Sequence, residues 1–97
     1  MKNVTDQERE RLLELERVLL TEVPPERFCC DGKDQDKRMC ILPGDHGEWI
    51  VFFREGTLGE DVTIHPDFEE AALQLIRNVA PSDAAQERMR ARFLGGK

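Results

Sequence analysis

Trp49-Ile50-Val51-Phe52-Phe53-Arg54-Glu55-Gly56 is the most apolar and aromatic run in the chain, and the fold is read outward from it. Aromatic and β-branched side chains suit a pleated, half-buried surface, so the run predicts a β-strand. Alternation puts Trp49, Val51 and Phe53 on one face and Ile50 and Phe52 on the other. Both faces are apolar, which places the strand inside a sheet covered on at least one side. Gly44 and Gly47 precede it and Gly56 and Gly59 follow it. Such glycines supply the backbone freedom of tight reversals, so a hairpin is expected at each end.

Before this strand, Thr5-Asp6-Gln7-Glu8 has the form of a capping box, with Thr5 as N-cap. A helix is expected from residue 6 to 22, with Leu12, Leu15 and Leu19 on one face and Val18 beside them. Pro24-Pro25 ends it. Glu8, Glu10, Glu14 and Arg17 make its other, solvated face. Arg27-Phe28-Cys29-Cys30 reads as a short first strand, Asp31 to Lys37 as a polar loop, and Arg38-Met39-Cys40-Ile41-Leu42 as a second strand. Pro43-Gly44-Asp45-His46-Gly47 is a turn signal.

After the central strand, Gly56-Thr57-Leu58-Gly59 reads as a turn and Glu60 to Ile64 as a further strand, with Val62 and Ile64 inward and Asp61 and Thr63 outward. Asp67 then caps a helix. Phe68, Ala71, Ala72, Leu75, Ile76 and Val79 follow at i, i+3, i+4, i+7, i+8 and i+11, the cleanest helical period in the chain. Trp49, Val51 or Phe53 is expected to pack on Leu75 and Ile76. Pro81 breaks that helix. A third runs from Ser82 to Leu94, with Ala85, Met89 and Phe93 as its apolar face and Arg88, Arg90 and Arg92 toward its end, where cations suit the helix dipole. The expectation is an α+β fold: an N-terminal helix, a three- to four-stranded antiparallel meander, and two C-terminal helices packed on one face.

Ninety-seven residues make a single domain over 1–97 with one modest core. The formal net charge is −6. Residues 1–26 hold seven acids and four bases, residues 27–66 eight and five, and residues 67–97 five of each. The acidic excess thus lies on the first helix and the sheet. This balance argues against nucleic acid as a partner, because phosphate binding needs clustered Lys and Arg. It favours a basic protein partner, set against simple solubility as the plainer explanation. No apolar run is long enough to span a membrane, and Met1 to Arg11 lacks the apolar core of a signal peptide. Three cysteines, two of them adjacent, argue against a disulfide framework and for a reducing cytoplasm.

Signals for chemistry are sparse. The chain has one serine, Ser82, which is better explained as a helix cap than as a nucleophile. Asp31, Asp34 and Asp36 bear a slight likeness to a calcium loop, but their spacing and glycine position do not fit, and no closing glutamate follows. Cys29, Cys30 or Cys40 with His46 or His65 could form a nucleophile pair. Cysteines on strands, however, are usually inert. A zinc site from Cys29, Cys30, Cys40 and His46 lacks the usual ligand pairing. No glycine-rich phosphate loop leads from a strand into a helix. No catalytic site, metal or cofactor is therefore expected, and a protein-binding module is.

Gly47-Glu48-Trp49-Ile50-Val51-Phe52-Phe53-Arg54-Glu55-Gly56, followed by Asp67-Phe68-Glu69-Glu70-Ala71-Ala72, resembles a layout of small immunity proteins from bacterial polymorphic-toxin and contact-dependent growth inhibition systems. The layout is a Trp-containing strand ending in Glu and Gly, a hairpin, then a helix opening with an aromatic residue, acids and alanine. It covers roughly residues 47–80. The resemblance implies a cytoplasmic, stoichiometric inhibitor, a monomer in a one-to-one complex, that occludes the active site of a cognate toxin. Many such toxins are nucleases with basic channels, which an acidic surface would complement. The alternatives are an accessory or regulatory module for another protein, and a cysteine-dependent or metal enzyme. With simple meander order, the 31–37 loop shares an end of the sheet with Glu55 and Glu60. The expected partner-binding patch is therefore Asp31, Asp34, Asp36, Glu55, Glu60 and Asp61, with Glu10 and Glu14 of the first helix as the alternative.

Overall fold

The computed structural model of the chain describes residues 4–30 and 35–95. Three helices lie against one face of a four-stranded sheet: α1 (Asp6–Leu19), β1 (Phe28–Cys29), β2 (Met39–Pro43), β3 (Trp49–Glu55), β4 (Leu58–His65), α2 (Phe68–Val79) and α3 (Asp83–Gly95), with a single 3-10 turn at Pro25–Arg27. The spatial order is β1-β2-β3-β4. The expected α+β class, N-terminal helix and paired C-terminal helices are all present.

One pairing differs. β2, β3 and β4 are antiparallel neighbours, but β1 runs parallel to β2, with Phe28 opposite Met39 and Cys29 opposite Cys40. The sheet is therefore mixed and not a pure meander. A two-residue strand contributes too few ladder bonds and side-chain pairs for its direction to show in its sequence.

Local chemistry fixes the helix ends. At the start of α1 the Glu8 amide donates to Thr5 Oγ1 (3.1 Å), and the Thr5 amide donates to Glu8 Oε1 (2.9 Å), completing the capping box. The helix closes at Leu19, short of residue 22. There the Thr21 hydroxyl donates to the Val18 carbonyl (2.6 Å) and the Val23 amide to Leu19 O (2.8 Å), turning Val23 into the core ahead of the two prolines. Asp67 caps α2 by accepting the Glu70 amide (2.9 Å), and Ser82 caps α3 by accepting the Ala85 amide (3.1 Å).

The core holds Leu12, Leu15 and Leu19 of α1, all six periodic residues of α2, and Ala85, Met89 and Phe93 of α3. From the sheet it takes Phe28, Ile41, Trp49 and Val51, together with Cys30 just beyond β1. Burying side chains such as Leu75 and Ile76 contributes about 1.5–3 kcal/mol each. Trp49 and Val51 share this core with Leu75 and Ile76, as expected; Phe53 is only half-buried and stands outside it. No described helix is long and apolar enough to cross a membrane.

The hairpin between β3 and β4 overturns one assignment of faces. Glu55 pairs with Leu58 around a two-residue turn, where Gly56 has φ +60°. Continued regularly, that register would set Val62 opposite Val51 and Ile64 opposite Trp49, both facing the helices. A bulge intervenes: Asp61 and Val62 together oppose Phe52, and Asp61 takes a left-handed φ of +52°. The extra residue inverts the rest of the strand. Thr63 now pairs with Val51 and His65 with Trp49, while Val62 and Ile64 turn outward, 52% and 68% exposed.

Candidate functional site

The acids singled out as a partner-binding patch fall into three groups. Asp31 and Asp34 lie outside the described residues. Asp36 and Glu55 meet at one end of the sheet, as expected. The Gly56 amide donates to Asp36 Oδ1 (2.6 Å), so this carboxylate clamps the β3–β4 turn. Backbone bonds from Lys37 N to Arg54 O (2.7 Å) and from Arg54 N to Arg38 O (3.0 Å) extend the β2–β3 ladder to that end. Arg54 Nε donates to the Gly56 carbonyl (2.6 Å), which brings a cation into the same cluster. Glu60 and Asp61 follow on β4 past the turn, opposite Phe53 and Phe52, and both are exposed.

The other hairpin is built differently. Gly47 has φ +88°, which favours glycine, and the Gly44 amide donates to Glu48 O (2.7 Å). Glu48 Oε1 accepts the His46 amide (2.8 Å). A shallow hollow of about 320 Å³ opens beside this turn, lined by Leu42, Pro43 and Ile50 with Asp45, His46 and Glu48. The two hairpins thus carry carboxylates to both ends of the sheet.

The residues weighed for catalysis hold structural positions. Cys29, Cys30 and Cys40 are buried. The Cys40 thiol donates to the carbonyls of Arg38 (3.5 Å) and Gln35 (3.6 Å). His46 sits in the turn beyond the far end of β2 from Cys40. His65 ends β4, its Nε2 2.9 Å from Thr63 Oγ1. The Ser82 hydroxyl is the α3 cap. Among the described residues no group of three or more His, Cys, Asp or Glu side chains could hold a metal ion.

One ion pair links the ends of the helical layer. Arg88 of α3 grips Glu22, just after α1, through Nε (2.5 Å) and Nη2 (3.0 Å). The Arg88 hydrogen bonds hold the Glu22 carboxyl below its usual range and raise the guanidinium in turn. Arg88 therefore has a tertiary partner beyond the helix dipole that its sequence position suggested.

The feature that the sequence reading passed over is the second face of the sheet. The buried residues of all three helices belong to the core on one side. On the other side Leu42 pairs with Ile50, Ile50 with Ile64, and Phe52 lies opposite the bulge. Leu42, Ile50 and Phe52 are half-buried, while Val62 and Ile64 are exposed. The signal was the apolar character of both faces of Trp49–Phe53, of which the helices cover one. The chain matches no family model, no curated protein and no solved structure.

Proposed function

We propose that this chain is an immunity protein that binds and neutralises a cognate toxin domain in the cytoplasm, one to one, by blocking the active site of a nuclease or other basic toxin. The observation that carries the reading is the sheet with its hairpins. From Gln35 to His65 it holds six carboxylates against three cations, and Asp36, Glu55, Glu60 and Asp61 are exposed on its turn end and edge strand. The layout of residues 47–80 supports it. So does the structural use made of Ser82 and the three cysteines. Such a surface suits a basic channel, where complementary charge accelerates encounter. No cofactor is needed for inhibition by occlusion.

The test begins with the gene encoded immediately upstream. Its C-terminal domain, purified, should lose its enzymatic activity on adding one equivalent of this protein. Reversing Glu55, Glu60 and Asp61 together to lysine should then slow association at least tenfold at low salt and flatten its salt dependence, while the fold survives. A domain that stays fully active in excess of the protein would sink the immunity reading. Inhibition with unchanged association in the triple variant would move the contact off these three acids. A complex without inhibition would favour the alternative, an accessory or regulatory module for another protein.

A further inference from the structure

We propose that the uncovered face of the sheet, formed by Leu42, Ile50, Phe52, Val62 and Ile64, is the docking surface for a basic protein partner that brings apolar side chains flanked by Lys or Arg. Three observations converge. The face is apolar across three adjacent strands; at β2 it is closed over Cys40, opposite Phe52, and it is open toward β4, where Val62 and Ile64 are exposed. Next, the Asp61 bulge presents Val62 and Ile64 outward, where a regular hairpin would have turned them toward the helices. Their places on the inner side are taken by Thr63 and His65, which bond to each other. The strand is thus polar toward its own helices and apolar toward solvent, the reverse of a one-sided sheet. An exposed contiguous apolar patch of this kind marks an interaction site.

Charge selects the occupant. Asp45 and Glu48 border the hollow at one end of the face, whose floor is Leu42, Pro43 and Ile50. A lysine or arginine could lay its apolar stem along that floor with its head at the carboxylates. Asp61 stands at the bulge on the β4 side, while Arg54, opposite Gly59, shares this face at its far end from the hollow, and Glu60, opposite Phe53, belongs to the helical side. A second copy laid on this face would bring together two chains of net charge −6 each. A basic partner meets both the apolar centre and the Asp45–Glu48 end of the face. Under the function proposed above, this would be the surface offered to the toxin, but the test needs no toxin.

The experiment uses the full-length, ¹⁵N-labelled protein and two amphipathic peptides, one of leucine and lysine and one of leucine and glutamate. The leucine–lysine peptide should shift the amides of Ile50, Phe52, Val62 and Ile64, leave those of α2 and α3 in place, and bind more weakly as salt rises. Val62→Lys with Ile64→Lys should raise its Kd at least tenfold at unchanged melting temperature. If that pair perturbs folding, Asp45→Lys serves instead, with the same direction expected. Equal response to both peptides, shifts spread over the helices, or no response to either would overturn the proposal. So would sedimentation of the free protein as a dimer that broadens these same amides, since the face would then belong to a second copy. Failure here leaves the immunity reading standing through another surface, and failure of toxin neutralisation leaves this face standing.

Discussion

Trp49 meets Phe68 edge to face, with ring centroids 4.8 Å apart and planes at 70°. Phe68 in turn lies 6.1 Å from Phe93. One aromatic from the first turn of α2 therefore ties the central strand to the last helix. Such pairs add about 0.5–1.5 kcal/mol beyond the area they bury.

The first prediction follows from that chain of rings. Phe68→Ala should destabilise the domain by about 3–5 kcal/mol, because the cavity opens where three elements meet. At about 4–8 °C per kcal/mol for a domain of this size, melting should fall by more than ~12 °C. Phe53→Ala should cost less, since Phe53 is half-buried and outside the core. Thermal unfolding of both variants checks the order; an equal or larger loss at Phe53 would contradict the packing described.

The Glu22–Arg88 pair gives a pH dependence with a definite sign. The Glu22 carboxyl is held below its usual range by hydrogen bonds from Arg88. Its contribution is then fully present above the ordinary glutamate value of about 4.3 and disappears as pH falls through the lower folded value. Arg88 is 53% exposed, so the effect is small and weakens with salt. Wild type should melt above Glu22→Gln at pH 7, and the gap should close by the most acidic pH at which both still fold. A gap independent of pH would show that the carboxylate charge is not what matters.

How much of this was legible in the sequence depends on what kind of information fixes each element. α2 was readable because six apolar residues at helical spacing admit one arrangement, and the α1 capping box because its partners are three residues apart. The direction of β1 was not, since two residues carry no pattern that distinguishes parallel from antiparallel pairing. The faces of β4 were misassigned for a sharper reason. Alternation grouped Val62 with Ile64 correctly, but which way the group points depends on a single inserted residue opposite Phe52. A left-handed Asp61 leaves no trace in the binary pattern. The candidate acids were partly placed: Asp36 and Glu55 do share an end, yet Asp36 proved to be a turn clamp as well as a charge.

That double role of Asp36 can be separated. Asp36→Asn keeps an oxygen to accept the Gly56 amide and removes the charge; Asp36→Ala removes both. The alanine variant should lose about 0.5–1.5 kcal/mol through a loosened β3–β4 turn, and the asparagine variant less. Hydrogen exchange at the Gly56 amide reads the clamp directly: it should speed up in the alanine variant and stay slow in the asparagine one. Fast exchange in both would mean that the bond depends on the charged acceptor.

The bulge itself makes the last prediction. A left-handed backbone costs an ordinary L-residue roughly 1–2 kcal/mol, glycine almost nothing, and Asp tolerates it better than most. Asp61→Gly should therefore leave the register intact, with Thr63 still opposite Val51, and stability equal to or slightly above wild type. Asp61→Val should be the damaging change, because a β-branched side chain fits this φ worst. It should cost about 1–2 kcal/mol if the bulge survives. If the strand escapes by slipping one residue, Val62 would move opposite Val51 and Ile64 opposite Trp49, burying two side chains that are exposed in the native protein. Cross-strand NOEs between Val51 and either Thr63 or Val62 distinguish the two outcomes. An Asp61→Val variant as stable as wild type and in native register would show that the left-handed turn at Asp61 is not what holds Val62 and Ile64 on the open face.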